Sequence, residues 1–447
     1  MDVYDKAILI PPVPYQGGLI QYFSNSVKEH LKENEIPIRF IITHSTEDGY
    51  HCELTILDIE SQKLSKRPNS IFEFQRRTYE DTTQFNAVLL IPTGIDCEIG
   101  GDAGDATPVA RLLASVCDHL IVHPNVVNAS DINELSDNCL YVEGSVICRL
   151  LMGTVGLQKI RANRVLILLE EHESQIITEA SINSASGARA TLGMNCAGVV
   201  RLKDCFQMKI DYSAAGRASG KVEQLEHLYE VLQAYRHEYD AIAISSVIQP
   251  PDNPEKFLRD YYVSQSMNPW GGVEAMLTHA VSVLFDLPSA HSPMMENLDI
   301  LMVDVGITDP RKAAEAVSRT YLHCILKGLH RSPRLVTDPK HRVNKGVINV
   351  EDISCLVIPE GCLGLPTLAA LEQGIPVIAV RENKNLMCNR LEDLHFRSDK
   401  YFLVDNYLEA VGIMAALKAG VEPSSVRRPL PQTKIMIYEP KQVAVAK

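Results

Sequence analysis

Short β-branched runs alternate with helical patterns along nearly the whole chain, and this restricts the fold most, because a strand that returns parallel to its predecessor needs a helix-length crossover. Candidate strands fall at Ala7–Ile10, Pro37–Ile42, Ala87–Ile91, His119–Val122, Arg164–Leu169, Ala197–Leu202, Ala241–Val247, Asp299–Val303, Cys355–Ile358, Pro376–Val380 and Tyr401–Val404. Between them Leu225, Leu228, Tyr229 and Leu232 fall at helical spacing, and Ala313, Val317, Tyr321, Cys324 and Ile325 form a second stripe.

The expectation is an α/β protein of two to three Rossmann-like units, with mainly parallel sheets and helices on both faces. A chain of 447 residues has room for this. Soft breaks predict an N-terminal unit over 1–155 that carries a Gly/Asp-rich loop, a middle unit over 156–295, a C-terminal Rossmann-like unit over 296–420 and a Pro-rich extended tail over 421–447. With 43 basic against 56 acidic residues, no chain-wide positive field exists to hold nucleic acid or an anionic membrane. Eleven cysteines without a CxxC pair predict free thiols and a cytoplasmic setting. No apolar run approaches the roughly 18 residues of a spanning helix.

The densest chemistry lies in Ile91–Asn128. Gly94, Asp96, Glu98, Gly100, Gly101, Asp102, Gly104 and Asp105 follow a predicted strand, and Pro108 opens a helix. The glycines could turn N–H groups toward an anion, while the carboxylates could hold a divalent cation or exchange protons. Because Asp102 and Asp105 would repel a bare phosphate, they are read as binding a cation, an amine or ligand hydroxyls. His123 follows the next strand at the carboxyl edge, where α/β sheets present ligand-binding groups, and Asn125 and Asn128 stand ready to orient it or to bind ligand. The plainer alternative is that these residues cap helices and turns.

The second rich stretch is Cys355–Asn383. A strand ends at Pro359-Glu360, Gly361 and Gly364 shape a turn, Pro366 opens a helix that Gly374 closes, and Pro376–Val380 returns as a parallel strand. The helix N-terminus marks Gly361–Thr367 as an anion site, with Glu360 and Arg381 beside it. About thirty residues here resemble the nucleotide-sugar half of two-Rossmann glycosyltransferases and related 2-epimerases. Cys362, near that helix start, is a weaker candidate nucleophile. Trp270 could stack on a flat ligand, and Arg189 or Arg217 could fork onto a carboxylate or phosphate.

GGDAGDATP, IVHPN-VVNASD, NPWGGVEAM and PEGCLGLPTLAALEQGIPVIAVREN together resemble an uncharacterised family of cyanobacteria and plant plastids, domain of unknown function 3326. The resemblance implies a setting and no activity. Absence of GxxxxGK[ST], HExxH, GxSxG and GxGxxG removes the corresponding nucleotide, zinc, hydrolase and dinucleotide readings. The reading is therefore an enzyme of unstated reaction acting on an anionic small metabolite in an inter-domain crevice. Asp102, Asp105 and His123 would be catalytic, and Gly100, Gly101, Gly104, Asn125, Asn128, Trp270, Glu360, Gly361, Gly364 and Arg381 would bind ligand. A divalent cation is the candidate cofactor and a homo-oligomer the candidate assembly; no nucleic-acid or membrane partner is expected. The alternatives are a sugar-nucleotide transferase or epimerase-like enzyme and a non-catalytic metabolite sensor or assembly protein.

Overall fold

A computed structural model of the chain describes residues 1–12, 18–59, 64–129, 132–203, 206–264, 267–318, 320–389 and 400–437. Ser130 and Asp131 of IVHPN-VVNASD, whose residue types suit the cap of a following helix, Cys205 and the last residues of the tail lie outside these.

Two large sheets organise it. One is wholly parallel, in the order Tyr401–Val404, Val377–Val380, Ile353–Pro359, Asn86–Leu89, His119–Val122, Cys139–Tyr141. Its strands alternate their apolar side chains between two cores. Ala87, Leu89, Leu120, Val122, Cys355 and Val357 pack under the helices Thr107–Ala114 and Tyr407–Lys418, whereas Val88, Ile121, Leu356 and Ile358 pack under Gly144–Leu151 and Leu365–Gln373. Burial on both faces explains why these strands read as continuous apolar runs. Chain order runs outward in both directions from the neighbours Asn86–Leu89 and Ile353–Pro359, so a switch point lies between their carboxyl ends, where such sheets bind ligands.

The other sheet corrects the expectation of mainly parallel Rossmann-like units. Strands Arg164–Glu170, Asn195–Leu202, Ala241–Gln249 and Ser289–Met294 pair in parallel, but Asp2–Ile10, Glu35–Thr46, Gly49–Asp58, Gln207–Tyr212 and Ala218–Glu223 form antiparallel hairpins. The molecule is a mixed α/β protein, and each sheet draws strands from widely separated stretches of the chain.

Local readings shift for identifiable reasons. Asp299–Val303, expected as a strand, is instead the short helix Leu298–Leu301, because the Asn297 side chain accepts the Ile300 N–H at 2.9 Å and caps a turn. Arg189, read as a possible fork onto a carboxylate or phosphate, lies on helix Gln175–Leu192, which Gly193 ends in the left-handed conformation. The stripe from Ala313 to Ile325 divides into helices Ala313–Val317 and Tyr321–His330.

Helix Gly271–Phe285 is wedged between the sheets. Val273, Met276, Leu277 and Ala280 bury against the mixed sheet. Contact is close because residue 272 is glycine; a Cβ there would lie 2.3 Å from the Ala218 carbonyl oxygen. The opposite face of the helix is left to the space between the sheets.

Candidate functional site

Three chambers adjoin in series, each sharing wall residues with the next, and the first opens at the switch point. The first is apolar and is lined by Phe40, Leu90, Ile95, Cys362 and Leu365, among others. The second shares Thr93, His123, Gly144, Ala275 and His279 with the first and adds Asn125, Asn128, Glu143 and Glu274. Its neighbour, the third, shares Asn128, Asn268, Glu274 and His291 with it and adds Trp270 and Glu315.

The partition between the first two chambers carries a histidine–carboxylate pair. Glu143 follows strand Cys139–Tyr141 and caps helix Gly144–Leu151, accepting the Ser145 N–H at 2.9 Å. His279 reaches it from helix Gly271–Phe285, with Nδ1 2.5 Å from Glu143 Oε1. The ring is turned off the ideal hydrogen-bond line, so the contact is chiefly electrostatic. Burial works to raise the Glu143 carboxyl, but the electrostatic contact with His279 and the bonds from Ser145 outweigh it and hold the group below the usual carboxylate range. An imidazole backed by an ionised carboxylate is the ordinary arrangement of a general base.

His123 stands beside them, one residue beyond strand His119–Val122. Its Nε2 accepts the Ile91 N–H at 3.3 Å, which leaves Nδ1 to carry the proton. Burial, reinforced by His279 and opposed by Glu143, holds it down at about 4, so it is a neutral donor at physiological pH.

Farther along, Glu274 receives His291 Nδ1 at 2.9 Å, and His291 Nε2 lies 2.9 Å from Ser246 Oγ. The order is that of a nucleophilic triad, but Ser246 is 1% exposed, lies against Met208 Sδ and lines none of the three chambers. This chain of bonds anchors Glu274. Glu315 accepts the Ala103 N–H and Asn268 Nδ2, each at 3.3 Å. Burial first, and then the charge of Asp102, push its carboxyl up to about 7.

Sequence expectations meet this geometry unevenly. His123, Asn125, Asn128, Trp270, Gly101 and Gly364 line the chambers, whereas Asp102, Asp105, Gly100, Gly104, Glu360, Gly361 and Arg381 do not. Asp105 turns inward to accept the Gly100 N–H at 2.8 Å, and burial raises it to about 7. Asp102 accepts the Tyr261 hydroxyl at 3.0 Å beside Lys312. Asn125 donates to the carbonyls of Ile91 and Gly100. Among the described residues no group of three or more His, Cys, Asp or Glu side chains is placed to hold a metal ion.

At the second rich stretch, Gly364 pairs in sheet fashion with Ile41, and the Arg381 guanidinium meets Asp405 at 2.8 Å. Burial pushes the Cys362 thiol up, against the idea of a reactive thiolate. Trp270 packs edge-on against Phe257 and Tyr261. Arg217 is spent on Asp5 and Glu53, and Arg189 is exposed.

Glu143, Glu274, His279, His291 and Glu315 were not singled out in the sequence. One signal was available: GGVEAMLTHAVSVLF is apolar except for Glu274, Thr278, His279 and Ser282, and titratable residues in an otherwise buried helix need partners or a ligand.

Comparison with known proteins identifies the relatives. A family model described as a protein of unknown function, DUF3326, matches residues 86–427. The chain belongs to the DUF3326 family. An uncharacterised lipoprotein of Synechococcus sp. is 34% identical over 343 residues, covering 76% of this chain and 92% of its own length. No solved structure matches. The name of that relative overturns the cytoplasmic setting expected from the cysteines: ten described cysteines are indeed free, but unpaired thiols do not fix a compartment. No helix among the described residues is long and apolar enough to cross a membrane. The DUF3326 match takes in every residue of the histidine–carboxylate pair and its surroundings, and leaves out the strand Glu35–Thr46 that closes the first chamber.

Two predictions arise here. In this DUF3326 member a Cβ on Gly101 would lie 2.2 Å from the Cys97 carbonyl oxygen, so Gly101→Ala is expected to cost roughly 3 kcal/mol in chemical denaturation, whether or not ligand is present. The second concerns pH. Glu315 and Asp105 titrate near 7 when folded, well above their ordinary values of 4.5 and 3.8. The folded state therefore holds extra protons in that window, and their share of stability is lost as pH rises through it. His123, held down to about 4, has the opposite slope below its ordinary 6.5. Comparing Glu315→Gln with the parent isolates one group: the parent should lose more melting temperature than the variant between about pH 5 and about pH 8.

Proposed function

We propose that this protein is an enzyme carrying out acid–base chemistry on a small polar metabolite in the crevice between the sheets. His279 accepts the proton, Glu143 stabilises the imidazolium that results, and neutral His123 donates a hydrogen bond to the reacting group. Glu315, which titrates near neutrality, returns a proton on the far side. The observation that carries the reading is the pair of half-buried His279, at a wall common to two chambers, and buried Glu143, beside a second histidine. Glu143, Glu274 and Glu315 make the polar wall acidic, which favours hydroxyl or amino groups on the ligand over the anionic groups expected from the sequence. A sugar-nucleotide reading draws no support from the Gly361–Gly364 turn, whose chamber is apolar.

The test is incubation with a fractionated extract of small metabolites, followed by mass spectrometry. The parent should consume one species and His279→Ala should not, while ligand-observed NMR still detects that species bound to the variant. Equal consumption by His279→Ala, or no consumption by the parent, would overturn the reading.

A further inference from the structure

The first chamber differs in chemistry from the two beyond it. Its side chains come from four separate places in the chain, Ile38 and Phe40 on one strand, Leu90 and Ile95 after another, Cys148 on a helix and Leu365 at the start of another helix. Two arginines border it, but both are committed elsewhere. Arg39 bonds to Thr55 and Asp5, and Arg217 to Asp5, Glu53 and the Ala218 carbonyl. The thiols of Cys148 and Cys362 are kept neutral by burial. A small, fully polar metabolite would leave this space unused, although it lies at the switch point where parallel sheets take their ligands.

We propose that the ligand is amphipathic: an apolar chain or ring fills the first chamber, and a hydroxyl or amino head lies at the His123–His279 partition. Placement of the head rests on the function proposed above; placement of the apolar body rests on the chamber alone. Among the described residues no cation is free at the apolar end, so a carboxylate or phosphate there would be desolvated without a partner from them, and the polar end points toward the second chamber. Apolar ligands enter such partly enclosed apolar clefts because both surfaces leave water together.

Titration of the full chain with N-phenyl-1-naphthylamine, an apolar ring system bearing an amine, tests this. One probe per chain should bind with a rise in fluorescence, and decan-1-ol should displace it whereas glycerol should not. Cys148→Trp, which fills the chamber, should weaken binding about tenfold or more, while Arg381→Ala, whose guanidinium meets Asp405 outside the chambers, should bind the probe as the parent does. An unweakened Cys148→Trp variant would overturn the inference. So would a parent that ignores the probe while still consuming a metabolite through His279, and that result would leave the proposed function standing. Conversely, probe binding without any His279-dependent turnover would remove the function and keep the apolar site. Should Cys148→Trp melt far below the parent, the smaller filling Cys148→Met decides: it should still weaken probe binding, and unweakened binding would overturn the proposal.

Discussion

Glu143→Ala is expected to lower stability by about 3 kcal/mol and to abolish turnover, whereas Glu143→Gln keeps most of the stability and loses turnover alone. Glu143 is 2% exposed and serves two partners from different elements, the Ser145 N–H at the start of its own helix and His279 on the helix wedged between the sheets. Alanine removes the helix cap and leaves His279 facing a void. The loss falls toward the lower end of what breaking a buried pair costs, because His279 is only half-buried and borders the chambers. Glutamine preserves the acceptor for Ser145 but cannot stabilise an imidazolium, so turnover should fall by roughly two to four orders of magnitude. Urea unfolding and the metabolite-consumption assay, run on both variants, check the two halves separately. A Glu143→Gln enzyme of parental activity would reduce the pair to a packing device.

The other large effect lies outside the chambers. Arg217→Met should destabilise by about 3 to 5 kcal/mol, since it strips the cation from two buried carboxylates. Arg217 is 1% exposed, its Nε donates to Glu53 at 3.1 Å, and its guanidinium also bonds to Asp5. It thereby fastens the hairpin ending in Ala218–Glu223 to strands Asp2–Ile10 and Gly49–Asp58. Burial would raise Asp5, but Arg39, Arg217 and the hydroxyls of Ser219 and Thr55 outweigh it and bring the group to about 2. A depressed carboxylate contributes stability that is present above its ordinary 3.8 and lost as pH falls toward 2. Without Arg217 that contribution shrinks, so the deficit should be greatest near neutrality and narrow below about pH 4. Denaturant unfolding at about pH 7 and about pH 3 reads this directly; a deficit that does not change with pH would mean that the lost packing of the arginine stem dominates.

What the sequence determined by itself was local. Apolar runs of strand length, Pro366 and Gly374 bracketing a helix, and the return at Pro376–Val380 specify a parallel strand–helix–strand unit, because each signal acts within a few residues of chain. His123 was legible for the same reason: a polar residue directly after a buried strand emerges at the carboxyl edge. The carboxylates of the Gly/Asp-rich loop were equally visible, yet a short loop rich in glycine can fold its own side chains inward, and Asp105 does so onto the Gly100 N–H.

Only the tertiary structure decided which strands became neighbours. Asn86–Leu89 pairs with Ile353–Pro359 across more than half the chain, and their adjacency creates the switch point and the first chamber. Glu143 and His279 are likewise far apart in sequence, and each alone looks like a stray polar residue in an apolar context. Their meaning as a pair arises because helix Gly271–Phe285 packs onto the mixed sheet through Gly272 and brings His279 to Glu143 at the end of a parallel-sheet strand. Periodicity records which residues are buried, but not which buried charges meet; that is fixed by long-range packing of two sheets against one helix.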